Sequence, residues 1–318
     1  MKSEWNRVQV GELCSRVCSG GTPKSTNSEY YEGDIPWLNT REVNFNRISK
    51  TEGFITQAGL DNSSAKWIKK NCVIVAMYGA TAGRCAITKI PLTTNQACCN
   101  LEIDDTKADY RFVYYALKNE YVRLSSAANG GAQQNLNAQQ VKEFDIPYPP
   151  LPIQRKIASI LSALDDKIET NNAICRNLEE QARTLYAQWY EKEKKECHWV
   201  PLESVANINP EAYSVKEQWD YVNYLDTGNI IDGVISSIQK IDLSCEPLPS
   251  RARRKIKAGD IVFSTVRPNQ RHFGIIHSPK PYMLISTGFT VVRSNRDDIC
   301  NELIYLLLSD SSFVKKMQ

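Results

Sequence analysis

Residues 157–189 read IASILSALDDKIETNNAICRNLEEQARTLYAQW, and apolar side chains recur in this stretch at intervals of seven residues. One set of positions is Ile157, Leu164, Asn171, Leu178 and Leu185, and the second, four residues further on, is Leu161, Ile168, Cys175, Ala182 and Trp189. This is a heptad seam, which predicts one long helix over residues 152–195, roughly 65 Å long at about 1.5 Å per residue. A lone helix of that length is stable only when its apolar stripe is buried, so we expect a partner surface.

Proline residues mark the point where this helix begins. Proline is favoured in the first turn of a helix and disfavours helix in the residue before it. A stiff, extended entry to the helix is formed by Pro147, Pro149, Pro150 and Pro152. We therefore predict a first domain over residues 1–150, a spacer helix over residues 151–196 and a second domain over residues 197–318.

The two predicted domains resemble each other in sequence at a spacing of roughly 190 residues, which suits duplicated domains rather than a solenoid. Four blocks recur in the same order: residues 37–40 with 224–227, 73–78 with 261–266, 86–87 with 274–275, and 112–117 with 303–308. The second and third blocks read as strand, loop and strand in both copies. The sequence therefore predicts an α+β protein with two duplicated mixed α/β domains joined by a long coiled-coil-like helix.

Composition narrows the possible functions. The net charge is only +3, so any attraction to phosphate depends on where the basic residues lie. No stretch approaches the ~18–20 apolar residues of a membrane span, and we expect a cytoplasmic protein that binds no membrane. The ten cysteines include no C-x-x-C spacing, so we expect buried, reduced thiols and no metal site.

Several short motifs resemble those of the specificity subunits of type I restriction-modification systems. At the junction of domain and helix they are residues 129–136 (NGGAQQNL), 146–152 (IPYPPLP), 154–158 (QRKIA) and 164–168 (LDDKI). Elsewhere they are residues 20–24 (GGTPK), 35–38 (IPWL), 93–96 (TTNQ) and 265–269 (TVRPN). The resemblance covers essentially the whole chain.

The resemblance implies two target-recognition domains, each of which reads one half of a bipartite DNA site, with long helices that hold them at a fixed distance. It also implies docking of two methyltransferase subunits, which methylate adenine with S-adenosylmethionine, and recruitment of two nuclease and translocase subunits. ATP and Mg²⁺ would then belong to these partner subunits, and we expect no cofactor and no catalysis in this chain.

The chain departs from the family pattern at two places. Ile153 stands where the family usually has an acidic residue, so a contact made by that carboxylate does not carry over. Nothing that corresponds to residues 129–195 follows the second copy, which lacks a second helix. We expect either a truncated or recombined product, or a chain that borrows a helix from another molecule.

The second domain contains the densest group of candidate DNA-binding residues. DNA recognition needs arginine or lysine for phosphate and guanine, and asparagine or glutamine for adenine. Before the strand at 261–264 the candidates are Arg251, Arg253 and Arg254, with Lys255 and Lys257 beside them, and after it they are Arg267, Asn269, Gln270, Arg271 and His272. Two basic clusters that flank one strand favour contact with DNA over an ordinary solvated charged face.

The first domain offers a more dispersed set of candidates. They are Thr22, Lys24, Arg41, Tyr78, Thr81, Arg84, Asn95, Gln96, Gln133 and Gln134. The amides among them can hydrogen-bond adenine or simply cap loops. Gly79 and Gly83 are compatible with close approach of the backbone to DNA and with an ordinary tight turn.

Enzymatic functions fit the sequence less well. An adenine methyltransferase needs a glycine-rich cofactor loop and an Asn-Pro-Pro-aromatic motif, whereas this chain has only Asn209-Pro210-Glu211. A metal-dependent nuclease needs clustered carboxylates, but Asp165-Asp166-Lys167 lies in the heptad helix, where charged residues usually form a solvated face. Cys197-His198 lacks a nucleophile turn, and the loop 79–83 lacks the ending of a phosphate-binding loop.

An interaction protein is the remaining alternative, in which the helix mediates self-association and the truncated chain is silent. Asn171 is the one polar side chain at a core position of the seam, where a buried amide fixes register or oligomeric state. A solvated gap in a short seam explains the same residue. Salt-dependent retention on DNA would separate a DNA-binding protein from a purely self-associating one.

Overall fold

One long helix belongs to both halves of the chain. The structure, a computed structural model, describes residues 5–127 and 135–317, and the helix α5 extends over Leu151–Glu193. The helix predicted over residues 152–195 is therefore confirmed, and its two ends differ from the prediction by one and two residues. The chain divides within this helix into two compact units, Met1–Ile174 and Cys175–Gln318.

The first unit contains mixed sheets. Its strands are β1 (Arg7–Gln9), β2 (Cys14–Ser19), β3 (Tyr31–Leu38), β4 (Asn46–Ile48), β5 (Gly53–Ile55), β6 (Val73–Ala76), β7 (Cys85–Thr88), β8 (Thr93–Thr94), β9 (Cys98–Ile103) and β10 (Asp145–Pro147). One sheet has the order β2-β9-β6-β7-β4 and another the order β5-β3-β8, while β1 pairs with β10. Strands β6 and β7 are buried along their whole length, which explains their continuous apolar sequence.

Short helices pack on both sheets of the first unit. The α-helices besides α5 are α1 (Gln57–Asp61), α2 (Tyr110–Asn119), α3 (Tyr121–Ser126) and α4 (Ala138–Glu143). The 3-10 helices are Val10–Leu13, Ser28–Tyr30, Thr40–Glu42 and Gly79–Thr81. Helix α2 places Val113, Tyr114 and Leu117 against the sheet residues Val73 and Val75, and these side chains form the main core.

The second unit has the same kind of architecture. Its strands are β11 (Ala206–Ile208), β12 (Tyr221–Leu225), β13 (Ile230–Ile231), β14 (Val234–Ile235), β15 (Gln239–Asp242), β16 (Ala252–Lys255), β17 (Asp260–Ser264), β18 (Phe273–Ile276), β19 (Met283–Ser286) and β20 (Phe289–Ser294). One sheet has the order β11-β20-β17-β18, another has the order β15-β12-β19-β16, and β13 and β14 form a hairpin.

Helices close the core of the second unit on one side. They are α6 (Asn301–Leu308) and α7 (Ser311–Lys316), with 3-10 helices at Leu202–Ser204, Val215–Glu217, Thr227–Asn229 and Pro268–Gln270. Ile304, Tyr305 and Leu308 of α6 pack on Phe263 and Phe273 of the sheet. This arrangement repeats the packing of α2 in the first unit.

The strand order confirms the duplication. The order β2-β9-β6-β7 in the first unit equals β11-β20-β17-β18 in the second. In each unit a parallel pair follows the same register: Trp37 lies opposite Thr93 in the first, and Tyr224 lies opposite Leu284 in the second. The blocks that repeat in the sequence therefore occupy equivalent strands, as expected of duplicated domains.

Polar contacts attach the first part of α5 to the first unit. Gln154 is fully buried, accepts a hydrogen bond from the backbone N–H of Asp109 at 3.1 Å and donates to Pro149 O at 2.9 Å. The Arg47 guanidinium, which is buried, donates to Asp166 and to Ser162 O. These contacts set the direction in which the helix leaves its unit.

The second unit holds its own part of α5 in a similar way. Arg183 donates to Ser309 Oγ at 2.8 Å, and the Tyr305 hydroxyl donates to Glu179 Oε1 at 3.2 Å. No helix in the described part of the chain is long and apolar enough to cross a membrane.

Candidate nucleic-acid interface

Loops of the first unit meet at one edge of its sheets. Backbone hydrogen bonds join Gly21 N to Thr94 O at 2.8 Å, Asn95 N to Leu38 O at 3.0 Å, and Met77 N to Ala97 O at 2.8 Å. We call residues 20–24, 39–44, 77–84 and 94–97 the first loop edge. Every described residue that the sequence predicts to contact DNA in this unit lies within it. Gln133 and Gln134 lie outside the described residues.

Some of these side chains are free to meet a ligand. Thr22, Lys24 and Gln96 are exposed and make no side-chain hydrogen bond or ion pair with any residue in 5–127 or 135–317. Tyr78 is also exposed, while Thr81 is half-buried. Arg41 is exposed and pairs with Glu52 at 2.9 Å. Exposed ion pairs are weak, so a phosphate could replace the Glu52 carboxylate.

Other candidates in the first unit support the loops. Arg84 is half-buried and donates to Asn44 Oδ1 at 2.8 Å. Asn95 is buried and donates to Asn39 Oδ1 at 3.2 Å. Gly79 and Gly83 have φ of +75° and +81°, values that favour glycine, so the tight turn accounts for both.

The second unit has an equivalent edge. Thr265 N donates to Gly288 O at 3.3 Å, and Thr287 N donates to Arg251 O at 2.8 Å. These bonds place Arg251 and the loop after β17 on either side of the turn between β19 and β20. We call residues 230–235, 251, 265–272 and 286–288 the second loop edge.

The loop after β17 has a strained backbone. Arg267 and Arg271 have φ of +52° and +56°, and they flank the 3-10 helix Pro268–Gln270. Left-handed backbone in a non-glycine residue costs of order 1–3 kcal/mol and clusters at functional sites. Arg267, Asn269 and Gln270 are exposed on this loop. The strained loop therefore presents one guanidinium and two amides, the groups that suit base edges and phosphates.

Arg271 and His272 have partners within the unit. Arg271 Nε donates to Asp232 Oδ1 at 2.6 Å, and its guanidinium lies 5.1 Å from the Phe273 ring centroid. His272 Nδ1 lies 2.7 Å from Ile230 O. Both side chains thus attach the loop to the β13–β14 hairpin.

The first basic cluster of this unit extends away from the loop edge. Arg254 donates to Asn209 Oδ1 and Phe289 O, while Lys255 pairs with Glu217 and Lys257 with Glu211. Hydrogen bonds from Arg293 and Lys257 lower the pKa of Glu211 to about 2. Arg251 and Arg253 remain exposed, so the two clusters that flank one strand in sequence are only partly brought together.

The heptad seam presents an apolar stripe on α5. Leu164, Ile168, Cys175, Leu178, Leu185 and Trp189 are exposed, as is Asn171, whereas Ile157, Leu161 and Ala182 are half-buried. Large exposed aliphatic side chains in a row mark an interaction surface. Within the described residues nothing covers this stripe.

Several of the residues considered above for enzymatic functions form hydrogen bonds within the fold. Asp165 accepts from the Tyr115 hydroxyl at 2.7 Å, and Asp166 accepts from Arg47. Asn209 Oδ1 accepts from Val291 N at 2.9 Å. Cys197 and His198, the pair considered as a nucleophile and its base, are both exposed. No cluster of metal-binding side chains occurs among residues 5–127 and 135–317.

Two functional features were missed by reasoning from the sequence. The hairpin at 230–235 reads IIDGVI, and Asp-Gly between apolar residues is a strong hairpin signal that could have been recognised. Arg47, which anchors α5, has no local pattern around it, because its partners lie more than a hundred residues away in sequence.

The chain is similar to proteins of one family. A family model described as the type I restriction modification DNA specificity domain matches residues 2–180. The MjaIX type I restriction enzyme specificity subunit of Methanocaldococcus jannaschii is 30% identical over 191 residues, which cover 59% of this chain and 44% of the relative. A type I restriction enzyme specificity subunit of Escherichia coli is 25% identical over 193 residues, covering 58% of this chain and 46% of the relative. The matched region thus spans less than half of each of these two relatives.

A solved structure shows the same fold over most of the chain. The crystal structure of the type I restriction-modification system S subunit from M. genitalium superposes with a TM-score of 0.54 and 19% sequence identity. The superposition covers 98% of this chain and 77% of that chain. The duplicated α+β architecture with a long helix is therefore shared with a structure of that kind.

Proposed function

The chain belongs to the type I restriction modification DNA specificity family, and from this premise we propose that it selects the DNA target of a type I restriction-modification complex. In this role it binds double-stranded DNA in a sequence-specific way and catalyses no reaction itself. Each unit reads one half of a bipartite target, the first through the first loop edge and the second through the second loop edge.

One observation supports this proposal above the others. In each of two units with the same strand order, the exposed residues that suit phosphates and bases lie on loops that backbone hydrogen bonds draw to the same edge. Loops held by a rigid scaffold are the usual location of binding residues. Arg267 in the second unit and Lys24 in the first are exposed cations at these edges.

The partners follow from the same role. We assign methylation of adenine to methyltransferase subunits that bind S-adenosylmethionine, and cleavage to nuclease and translocase subunits that use ATP and Mg²⁺. The exposed seam of α5 is the surface we assign to a helical partner, either from such a subunit or from a second copy of this chain. Burial of Leu164, Leu178 and Leu185 would stabilise that contact by about 1.5–3 kcal/mol for each side chain.

The experiment that tests the proposal is methylation mapping. The chain would be co-expressed with a cognate methyltransferase subunit, and methylated adenines would be mapped across the genome with and without it. We expect a bipartite motif that occurs only when the chain is present. Absence of new methylation, although the two proteins purify together, would contradict the proposal.

Single substitutions then assign the half-sites. We expect Arg267→Ala to change or weaken one half of the motif and Arg84→Ala to change the other half, because each acts at one loop edge. Arg296→Ala is a matched control, since Arg296 is exposed and pairs with Asp298, away from the loop edges. An unchanged motif in both Arg267→Ala and Arg84→Ala would exclude this assignment of half-sites.

Self-association is the second candidate function, and the exposed seam favours it. Leu178→Lys with Leu185→Lys would place charge in the stripe while leaving both loop edges unchanged. If the seam pairs two copies, light scattering will show a dimer for the wild type and a monomer for the variant. Loss of the dimer with retention on DNA at low salt would show that the two functions are separate.

A further inference from the structure

We propose that the β13–β14 hairpin contacts DNA directly, with Ile231 and Val234 as the side chains that meet the apolar edges of bases. The proposal rests on the function proposed above and identifies a contact within it. Thymine offers the apolar group in question, because its methyl group lies in the major groove.

The hairpin presents two aliphatic side chains to solvent. Ile230 pairs with Ile235, and Ile231 pairs with Val234. Side chains alternate between the two faces of a strand, so Ile230 is fully buried while Ile231 and Val234 are 52% and 51% exposed. Val266, next to Arg267 in the neighbouring loop, is 58% exposed. A globular unit gains no stability from such exposed side chains, which instead suit an interaction surface.

The tip of the hairpin has a defined conformation. Asp232 and Gly233 have φ of +47° and +77°, as a two-residue type I′ turn requires. This turn matches the natural twist of the two strands, so Ile231 and Val234 are held side by side. A rigid tip loses little conformational entropy when it binds.

The hairpin is attached to the loop after β17 by side chains and backbone. Asp232 N donates to Arg271 O at 3.0 Å, and Arg271 Nε donates back to the Asp232 carboxylate at 2.6 Å. His272 contacts Ile230 O at 2.7 Å. Arg271 and His272 are therefore positioning residues, and they attach the hairpin to the strained loop that presents Arg267.

The hairpin also lies directly on β18. A Cβ atom at Gly274 would lie 2.7 Å from Gly233 Cα and 2.9 Å from Ile230 Cδ1, closer than real Cβ contacts. The backbone of β18 can approach the turn only because this residue is glycine. The hairpin is thus part of the folded unit and not a detached loop.

Charge around the tip favours DNA as the occupant. Arg251, Arg253 and Arg267 are exposed on or next to the second loop edge, where they can contact phosphates. The one carboxylate of the tip, Asp232, is neutralised by Arg271. A two-stranded β-ribbon fits the major groove, with cations at its sides and apolar groups at its centre.

The test compares two double variants by methylation mapping in the co-expression system. Ile231→Ala with Val234→Ala removes the apolar tip. Ile208→Ala with Val200→Ala removes the same atoms from side chains that are exposed elsewhere in the unit. Ile208 lies on β11, at the edge of the sheet opposite β18. Because all four side chains are exposed, thermal unfolding should show both variants folded.

We expect the tip variant to lose discrimination at one or two base pairs of one half-site, with methylation of the original motif reduced about ten-fold. The other half-site and the control variant should be unchanged. Full methylation of an unchanged motif by the tip variant would overturn the proposal, as would loss of the methyltransferase subunit on purification, since the tip would then bind protein. Failure of the wild type to direct methylation would instead contradict the proposed function.

Discussion

The two loop edges belong to units with the same strand order, but they present different surfaces. In the first unit Arg84 binds Asn44, which lies between the 3-10 helix Thr40–Glu42 and β4. Strand β4 pairs with β7 at the edge of the sheet. In the second unit Arg271 binds Asp232 at the tip of a hairpin. An arginine just before the equivalent strand thus supports a polar loop in one unit and an apolar tip in the other.

This contrast indicates that target specificity would reside in the loops. The sheets repeat because each must bury a core, and the loops differ because their side chains are not needed for that core. Under the function proposed above, one scaffold would serve to read two unrelated half-sites.

The scaffolds themselves also differ in the charges they carry, and this difference gives the largest expected effect. Val73 of β6 pairs with Leu101, and Ile261 of β17 pairs with Val292. Glu102 on β9 and Arg293 on β20 come next in sequence after these partners, so they occupy equivalent positions. Arg293 binds both oxygens of Asp260, at 2.6 and 2.8 Å, and the Asp260 side chain is 1% exposed. Glu102 instead pairs with the exposed cations Arg16 and Lys69.

We expect Arg293→Ala to destabilise the second unit by about 3–5 kcal/mol, because it removes the cation paired with the buried Asp260 carboxylate and leaves it the hydrogen bond from Lys257 N. Glu102→Ala should cost only about 1 kcal/mol, because water can solvate the cations that it leaves. Denaturant unfolding gives the totals, and hydrogen exchange assigns each loss to a unit. Equal losses would show that the two scaffolds do not differ in this way.

Removing the contacts by which Arg271 and Arg84 hold their loops gives the next largest effect. We expect Arg271→Ala to change the same base pairs as loss of Ile231 and Val234, with about a five-fold fall in methylation, because the hairpin loses its anchor. Arg271→Lys keeps the charge opposite Asp232 and should restore part of the activity. A merely structural role would lower both half-sites together.

Asn44→Ala is the matched variant in the first unit. It removes the acceptor for Arg84 and should affect only the other half-site, by methylation mapping of the same kind. If Arg271→Ala and Asn44→Ala change the same half-site, the assignment of one half-site to each loop edge is wrong.

The long-range organisation could be predicted from the sequence because its signals are periodic. A seam of seven-residue spacing gave the helix to within two residues, and four repeated blocks gave the equivalent strands. Buried strands such as β6 and β17 are continuous apolar runs, which are visible without knowledge of their partners.

The candidate site could be predicted only in part. Residue types placed Arg267 and Gln96 in loops, but burial and pairing depend on distant contacts. Lys257 thus proved to pair with Glu211, and Asn95 to support a loop. Ile231 and Val234 escaped notice because an apolar side chain at a tip is indistinguishable in sequence from one in the core.

The smallest expected effect is a difference in acid sensitivity between the units, which depends on Glu211. Its pKa is lowered from 4.5 to about 2 by hydrogen bonds from Arg293 and Lys257. A lowered pKa in the folded state stabilises the fold above pH 4.5, and this stabilisation is lost as the pH falls from 4.5 towards 2. Its size should stay below about 1 kcal/mol, because the side chain is 35% exposed and water screens the ion pair.

We expect Glu211→Gln to be less stable than the wild type at pH 7 and equally stable near pH 2, measured by denaturant unfolding across that range. Glu203→Gln, at an exposed residue of the same unit, is the control. Glu211, Arg293 and Lys257 all lie in the second unit. Hydrogen exchange should therefore show the loss of stability at low pH in that unit first. A constant gap between wild type and Glu211→Gln down to pH 2 would mean that Glu211 acts through packing and not through its charge.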